Sequence, residues 1–229
     1  MVDYYKNVKL IGTSHIAAES IKKIAEEFSV MDPDIVCVEL DRKRLHALLT
    51  DAKPDYSLAG IKKYGMQGYL FAVIAGLIQR KLGNVVGIKP GSDMLSAINL
   101  ARNNHKQLEL IDQDIEITLK RFSKAFSFKE KMRLLWDILR SPFAKKVRIN
   151  LQEVPKERII HEMMMQLKNQ YPNLYRVLIE ERNEVMAKNI YHLMSKNHDK
   201  KILVIIGAGH EKELLQLIKK EDYRRDRVY

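Results

Sequence analysis

The chain has 229 residues, 46% of them hydrophobic and 30% charged, which is enough apolar material for one large core and excludes a disordered chain. A single cysteine, Cys37, excludes a disulfide framework, and the longest apolar run, near residues 69–78, stops at Gln79, Arg80 and Lys81, too short to cross a bilayer. The formal net charge is +11, and 12 lysines and arginines against 4 acids fall between Lys120 and Arg158, so the excess sits in one segment suited to an anionic partner.

In chain order, Asn7 to Ile11 is predicted as a first strand that breaks at Gly12 and delivers His15 three residues later. Ile16 to Val30 then has helical spacing, with Ile16, Ser20, Ile24 and Phe28 on one face. A turn at Asp32-Pro33-Asp34 leads into Ile35 to Leu40, a continuous apolar strand of the kind buried on both faces, with Cys37 as a core thiol. This is a βαβ pattern, whose strands are expected to be parallel. Glu39 interrupts the second strand at its carboxyl end, where a carboxylate is costly unless it is paired or binds something.

Asp41 to Leu49 is predicted as a short helix, and Ser57 to Leu82 as a longer helical region. Val85 to Ile88 is a third strand, and Pro90-Gly91-Ser92 a turn and N-cap into a helix over Asp93 to Asn104. A fourth strand, Leu108 to Ile111, closes on Asp112. From Asp114 to Asn197 the pattern is helical throughout, and the basic excess lies here. A last strand begins at Ile202, runs into the sequence Gly207-Ala208-Gly209-His210, and is followed by a helix over Glu211 to Lys220. The pattern predicts an α/β fold, with a mainly parallel central sheet flanked by helices, in one domain over 1–229. Within it, 113–198 is a helical insertion or cap before the last strand.

In parallel sheets, ligands bind at the carboxyl ends of the strands. His15, Glu39, Asp112 and His210 all fall there, and Gly12, Gly207 and Gly209 permit a ligand to approach the backbone closely. Two histidines with Glu39 and Asp112 form a normal ligand set for a divalent metal, which brings the pKa of bound water to about 7. A histidine oriented by a carboxylate can instead activate water without a metal. Both predict hydrolysis. Arg182, in the charged cluster Glu180 to Glu184, is either part of a solvated face or a group reaching the site. Asp93 is by default an acid at a helix start.

Other signatures fail. Gly207 and Gly209 hint at a dinucleotide loop, but the third glycine position is Lys212. His161-Glu162 opens like a zincin helix, but Met165 stands where the second histidine belongs. No nucleic-acid motif accompanies the basic segment, whose aromatics are spaced like a buried helix face, so a nucleic-acid partner is not expected.

Six stretches occur in order across nearly the whole chain: GTSH at 12–15, VCVELDRKR at 36–44, PGSDMLSAI at 90–98, LIDQDIEITLKR at 110–121, ERNEVMA at 181–187 and VIIGAGH at 204–210. Together they resemble the TraB family, which includes the pheromone-shutdown protein PrgY and is related to the Tiki proteases, erythromycin esterase and ChaN-like proteins. The resemblance implies an active site of two G-x-x-H histidines, His15 and His210, with Glu39, and Arg182 as a further member. It also implies manganese- or cobalt-dependent peptidase chemistry of the Tiki kind, or sequestration of a small peptide of the PrgY kind. Asp93 departs from the pattern, standing where glutamate is usual. Many relatives also continue into carboxyl-terminal membrane helices that this sequence does not include.

The leading expectation is a metal-dependent hydrolase of peptides, its ion being manganese, cobalt or zinc held by His15, His210, Glu39 and Asp112. Substrate contacts are expected from Gly12, Gly207, Gly209 and Asp93. The alternative is a protein that binds a peptide or small ligand without cutting it, through the basic segment and Trp136, Phe122, Phe126 and Phe128. As given, the chain is expected to be cytoplasmic, and membrane-associated where it continues into membrane helices. The methionine-rich helices suggest a homodimer.

Overall fold

The computed structural model describes residues 2–13, 18–50, 91–140 and 157–225. His15, the helical region from Ser57 and the strand expected at Val85 to Ile88 lie outside the described residues. The described strands are β1 (Val2–Tyr5), β2 (Val8–Thr13), β3 (Ile35–Val38), β4 (Gln107–Leu110) and β5 (Ile202–Gly207), in the order β1-β2-β5-β3-β4. All neighbours are parallel except β1 and β2, which form an antiparallel hairpin.

The last strand in sequence lies in the middle of the sheet. Val8 and Ile35 both stand beside Ile202, so the three strands start in one register; β2 and β5 end together at Thr13 and Gly207, and β3 ends two residues earlier, at Val38 beside Ile205. Each is buried along its whole length, which is why each is an almost unbroken apolar run. β1 was not expected. Its four residues carry little pattern, and the signal is the two-residue connection Lys6-Asn7, where Lys6 takes a left-handed φ of 53°.

Alternation along the strands divides the core in two. Val8, Leu10, Ile35, Cys37, Val204 and Ile206 face α8 (Glu181–Lys196) and α9 (Glu211–Arg225), packing on Met186, Ile190, Met194, Leu214 and Ile218. Ile11, Val36, Val38, Leu203 and Ile205 face α1 (Ala18–Met31) and α3 (Ser92–Asn103), packing on Ile24, Phe28, Met94, Ala97 and Ile98. A short helix, α2 (Arg42–Thr50), follows β3. The structure is thus a three-layer α/β sandwich. The N-cap of α3 is Gly91 at φ 84°, one residue before the expected Ser92, because the turn needs a left-handed residue at that point.

The remaining helices form an arm: α4 (Ile115–Ala125), α5 (Phe128–Arg140), α6 (Glu157–Gln170) and α7 (Pro172–Tyr175). A π-helical turn, Arg176–Glu180, joins α7 to α8. The helical stretch after Asp112 therefore has two destinations, since its last helix, α8, belongs to the sheet's own packing layer.

α5 combines a buried acid with exposed apolar residues. Glu130 is buried and accepts from the Asn173 amide at 2.7 Å, while the exposed Asp137 accepts from the Tyr171 hydroxyl at 2.5 Å. Phe128, Met132 and Trp136, four residues apart, lie on the outer side and are 74%, 45% and 55% exposed. Among the described residues, no helix is long and apolar enough to cross a membrane.

Candidate functional site

The three central strands deliver their next residues to a single edge. Glu39 follows β3 directly, and its amide still pairs with Ile205 of β5 at 3.1 Å, so the carboxylate emerges beside the end of β5. There it accepts from the Gly207 amide at 2.5 Å through Oε2 and from Arg182 Nη2 through Oε1. Asp112 follows β4 by one residue beyond Ile111 and is held by two guanidinium groups, those of Arg182, with Nε 3.1 Å from Oδ1, and Arg44. Asp41 orients Arg44 through its Nε at 2.7 Å and caps α2 through the Lys43 amide at 2.8 Å.

Arg182 is the hub. Its side chain is 13% exposed, so it belongs to the site and not to a solvated face. It enters from the first turn of α8, immediately after the π-helical turn, and Nη1 also donates to the Leu178 carbonyl at 3.0 Å. An inserted π turn shifts the phase of a helix and often marks a functional position. Burial opposes charge on this guanidinium, but Glu39 and Asp112 more than offset it and raise its pKa further. Burial would likewise raise Asp112, yet Arg182 and Arg44 prevail and hold it below its ordinary 3.8.

His210 is brought to the same point by the turn after β5. The Ala208 amide donates to the Thr13 carbonyl at 2.8 Å, the His210 amide to Gly207 at 2.9 Å, and His210 then opens α9 by accepting from Leu214. Its Nε2 stands 3.2 Å from Arg182 Nη1 and 3.4 Å from Glu39 Oε1. A guanidinium can only donate, so Nε2 presents its lone pair to Arg182 and the ring proton of the neutral imidazole is on Nδ1.

The glycines have distinct roles. Gly207 supplies the amide that holds Glu39, and a Cβ on Gly209 would meet the Met164 sulfur at 3.1 Å. A Cβ on Gly12 would collide with the Glu211 carboxylate, which accepts the Gly12 amide. Burial raises the pKa of Glu211, the residue next to His210. Asp93 is buried at the start of α3 and accepts from Thr13 Oγ1 at 2.6 Å, tying that helix to the end of β2.

Of the four expected metal ligands, Glu39, Asp112 and His210 are described, and each faces Arg182, while His15 lies outside the described residues. Among the described residues no group of three or more histidine, cysteine, aspartate or glutamate side chains is disposed to hold an ion. Glu39 and Asp112 turn their oxygens to Arg182, whose guanidinium lies between them. Sequence reasoning overlooked Arg44, Asn183 and Glu211. Arg44 lies three residues after Asp41, a helix-neighbour spacing, and the other two adjoin Arg182 and His210.

The described edge therefore contains a histidine, two buried carboxylates and a buried arginine, at the strand ends where the six motifs converge. A profile of the TraB/PrgY/gumN family matches residues 5–227. The chain belongs to the TraB/PrgY/gumN family. Over 225 residues it is 33% identical to the uncharacterized protein MJ1365 of Methanocaldococcus jannaschii, covering 96% of this chain and 55% of that protein. Over 189 residues it is 24% identical to the TraB domain-containing protein of Homo sapiens, covering 77% of this chain and 50% of that one. The TraB domain-containing protein of Mus musculus is 25% identical over 190 residues, again 77% of this chain and 50% of the relative. The chain spans about half the length of the curated relatives it matches.

Proposed function

We propose that the chain is a hydrolase, acting on peptide bonds, whose centre is the Glu39–Arg182–His210 cluster. The observation that carries this reading is the Nε2 lone pair of His210 facing a buried guanidinium at 3.2 Å. A base and an electrophile fixed that close can serve opposite ends of one addition step. Substrate and water part the Arg182–His210 contact: the freed Nε2 lone pair takes a proton from water as the water oxygen bonds to the substrate carbonyl carbon, and the freed Nη1–H of Arg182 donates to the oxyanion that forms. The imidazolium then returns the proton to the leaving amine as the carbon–nitrogen bond breaks. Glu39, 3.4 Å from Nε2, stabilises the transient imidazolium. The expected likeness to Tiki-type peptidases supports the choice of peptides. Glu39 and Asp112 both bond the Arg182 guanidinium, and the steps rest on that cation.

The test is incubation of the purified chain with a defined peptide mixture in ¹⁸O-water, read by mass spectrometry beside Glu39→Gln and His210→Gln. New carboxyl termini carrying one ¹⁸O, reduced at least about 100-fold in His210→Gln, are expected. Peptides recovered uncut by the parent, or cut equally by His210→Gln, contradict the reading.

One observation favours capture without cleavage as a second reading. Phe128 and Trp136 stand exposed on the basic arm, close in sequence to Lys129 and Lys131. Phe122 does not join them, because it is buried in α4 and stacks on Phe126 at 4.8 Å. Peptides retained intact, and released by charge reversal at Lys129 and Lys131, would establish this reading.

A further inference from the structure

His210 is held on its second nitrogen by a chain of buried groups that the hydrolytic step does not itself use. Nδ1 lies 2.7 Å from Asn183 Oδ1, Asn183 Nδ2 lies 3.1 Å from Glu213 Oε2, and Tyr175 hydroxyl donates to Glu213 Oε1. Asn183 is fully buried, on α8 one residue after Arg182, and Tyr175 is nearly so, at the end of α7. Glu213 lies three residues beyond His210 on α9. Three separate helices thus meet behind one imidazole.

The chain has a direction. A carboxylate can only accept, so Glu213 takes the Tyr175 hydroxyl proton on one oxygen and requires the Asn183 amide nitrogen at the other. That choice leaves Asn183 Oδ1, an acceptor, facing His210, and the Nδ1 it faces must carry the hydrogen. Burial and the bond to Glu213 raise the Tyr175 phenol above its ordinary pKa, so it remains a donor. The same tautomer was reached from the opposite side of the ring, where Arg182 can only donate to Nε2. The two derivations share no atom except the ring itself.

We propose that Asn183, Glu213 and Tyr175 are positioning residues that fix His210 in the Nδ1-protonated tautomer and keep its Nε2 lone pair on the Arg182 side of the ring, where it meets the attacking water. The role deepens the hydrolytic reading and depends on it for its purpose. Asn183 suits the task because it offers an acceptor to the ring and a donor to Glu213 at once. Leucine of similar volume would leave the buried His210 Nδ1 without its acceptor and Glu213 with the Tyr175 hydroxyl alone.

The test is long-range ¹H–¹⁵N correlation NMR of the full chain labelled with ¹⁵N-histidine, with His210 assigned by its loss in His210→Gln. In the parent, Nδ1 of His210 is expected in the protonated, pyrrole-like range and Nε2 in the unprotonated, pyridine-like range. In Asn183→Ala the two shifts are expected to move toward each other as tautomers exchange. Asn183→Asp, which can still accept from Nδ1, is expected to restore the separation. Tyr175→Phe and Glu213→Gln perturb the chain at a distance from the ring and are expected to give a smaller movement in the same direction. They keep the test open should Asn183→Ala fail to fold, which circular dichroism would reveal. Protonation of Nε2 in the parent overturns the proposal. So do unchanged His210 shifts in a folded Asn183→Ala or, where that variant does not fold, in both remote variants. The shifts are read without substrate, so failure of peptide hydrolysis and failure of the positioning role are separate outcomes.

Discussion

The sheet edge and the α5 arm treat polarity in opposite ways. At the edge, Glu39, Asp112, Arg182 and His210 are turned inward and bonded to one another. On α5, Glu130 is turned inward, while Phe128, Met132 and Trp136 face out. Both regions break the simple rule of apolar inside and polar outside, for different reasons. The edge concentrates chemistry where parallel strands end. The arm uses polar bonds to attach a helix whose apolar stripe is left on the surface. An exposed apolar stripe thus says little about stability, whereas a buried charge cluster says much about what a substitution will cost.

The largest contrast should come from arginines. Replacing Arg182 with Met leaves buried Glu39 without a guanidinium and Asp112 with Arg44 alone, and is expected to cost about 3–5 kcal/mol in urea unfolding. Arg133→Met on the arm removes one bond to the Gln170 carbonyl, at 2.8 Å, and is expected to cost about 1 kcal/mol or less. Equal losses would erase the distinction between the regions. Apolar truncations sharpen the same point. Ile190→Ala, in the layer beneath the sheet, is expected to cost about 2–5 kcal/mol. Met132→Ala on the outer side of α5 is expected to stay within about 0.5 kcal/mol.

The pH dependence separates the regions further. The folded-state pKa of Asp112 lies below its ordinary 3.8, so its stabilisation is present above 3.8 and is lost as pH falls through the lower folded value. Parent and Asp112→Asn are therefore expected to differ widely in melting temperature at pH 7 and to converge in strong acid. A constant difference across that range would show that Asp112 is not ionised at neutral pH. A smaller effect is expected from Glu130→Ala, which removes bonds to the Ser127 and Asn173 amides. It should cost about 1–3 kcal/mol, with hydrogen exchange rising around residues 171–175 and little change in β5.

Much of the edge was legible because β2, β3 and β5 are unbroken apolar runs that each end in Gly or Glu, and a parallel sheet aligns such ends. Glu39 and His210 followed from that alone. Arg182 was named by the family resemblance, but spacing alone left it between a solvated face and the site, since helical periodicity gives no account of the π turn that precedes it. The direction of α5 was equally hidden. A strong amphipathic pattern names an apolar face but not what it faces, and the bonds that turn α5 around come from Asn173 and Tyr171 on distant stretches of chain. β1 was missed because four residues of mixed polarity carry less signal than the left-handed Lys6 that folds them back.

The central claim of the proposed function is that the Arg182 guanidinium supplies the positive charge between Glu39 and Asp112 without a metal ion. Elemental mass spectrometry of the purified chain, before and after loading with manganese, cobalt and zinc, tests it most directly, with His15→Ala and His210→Ala alongside. The expected result is no stoichiometric metal in the parent under any loading. One ion per chain in the parent, lost in both histidine variants, would contradict it and return the two histidines and the carboxylates to service as ligands.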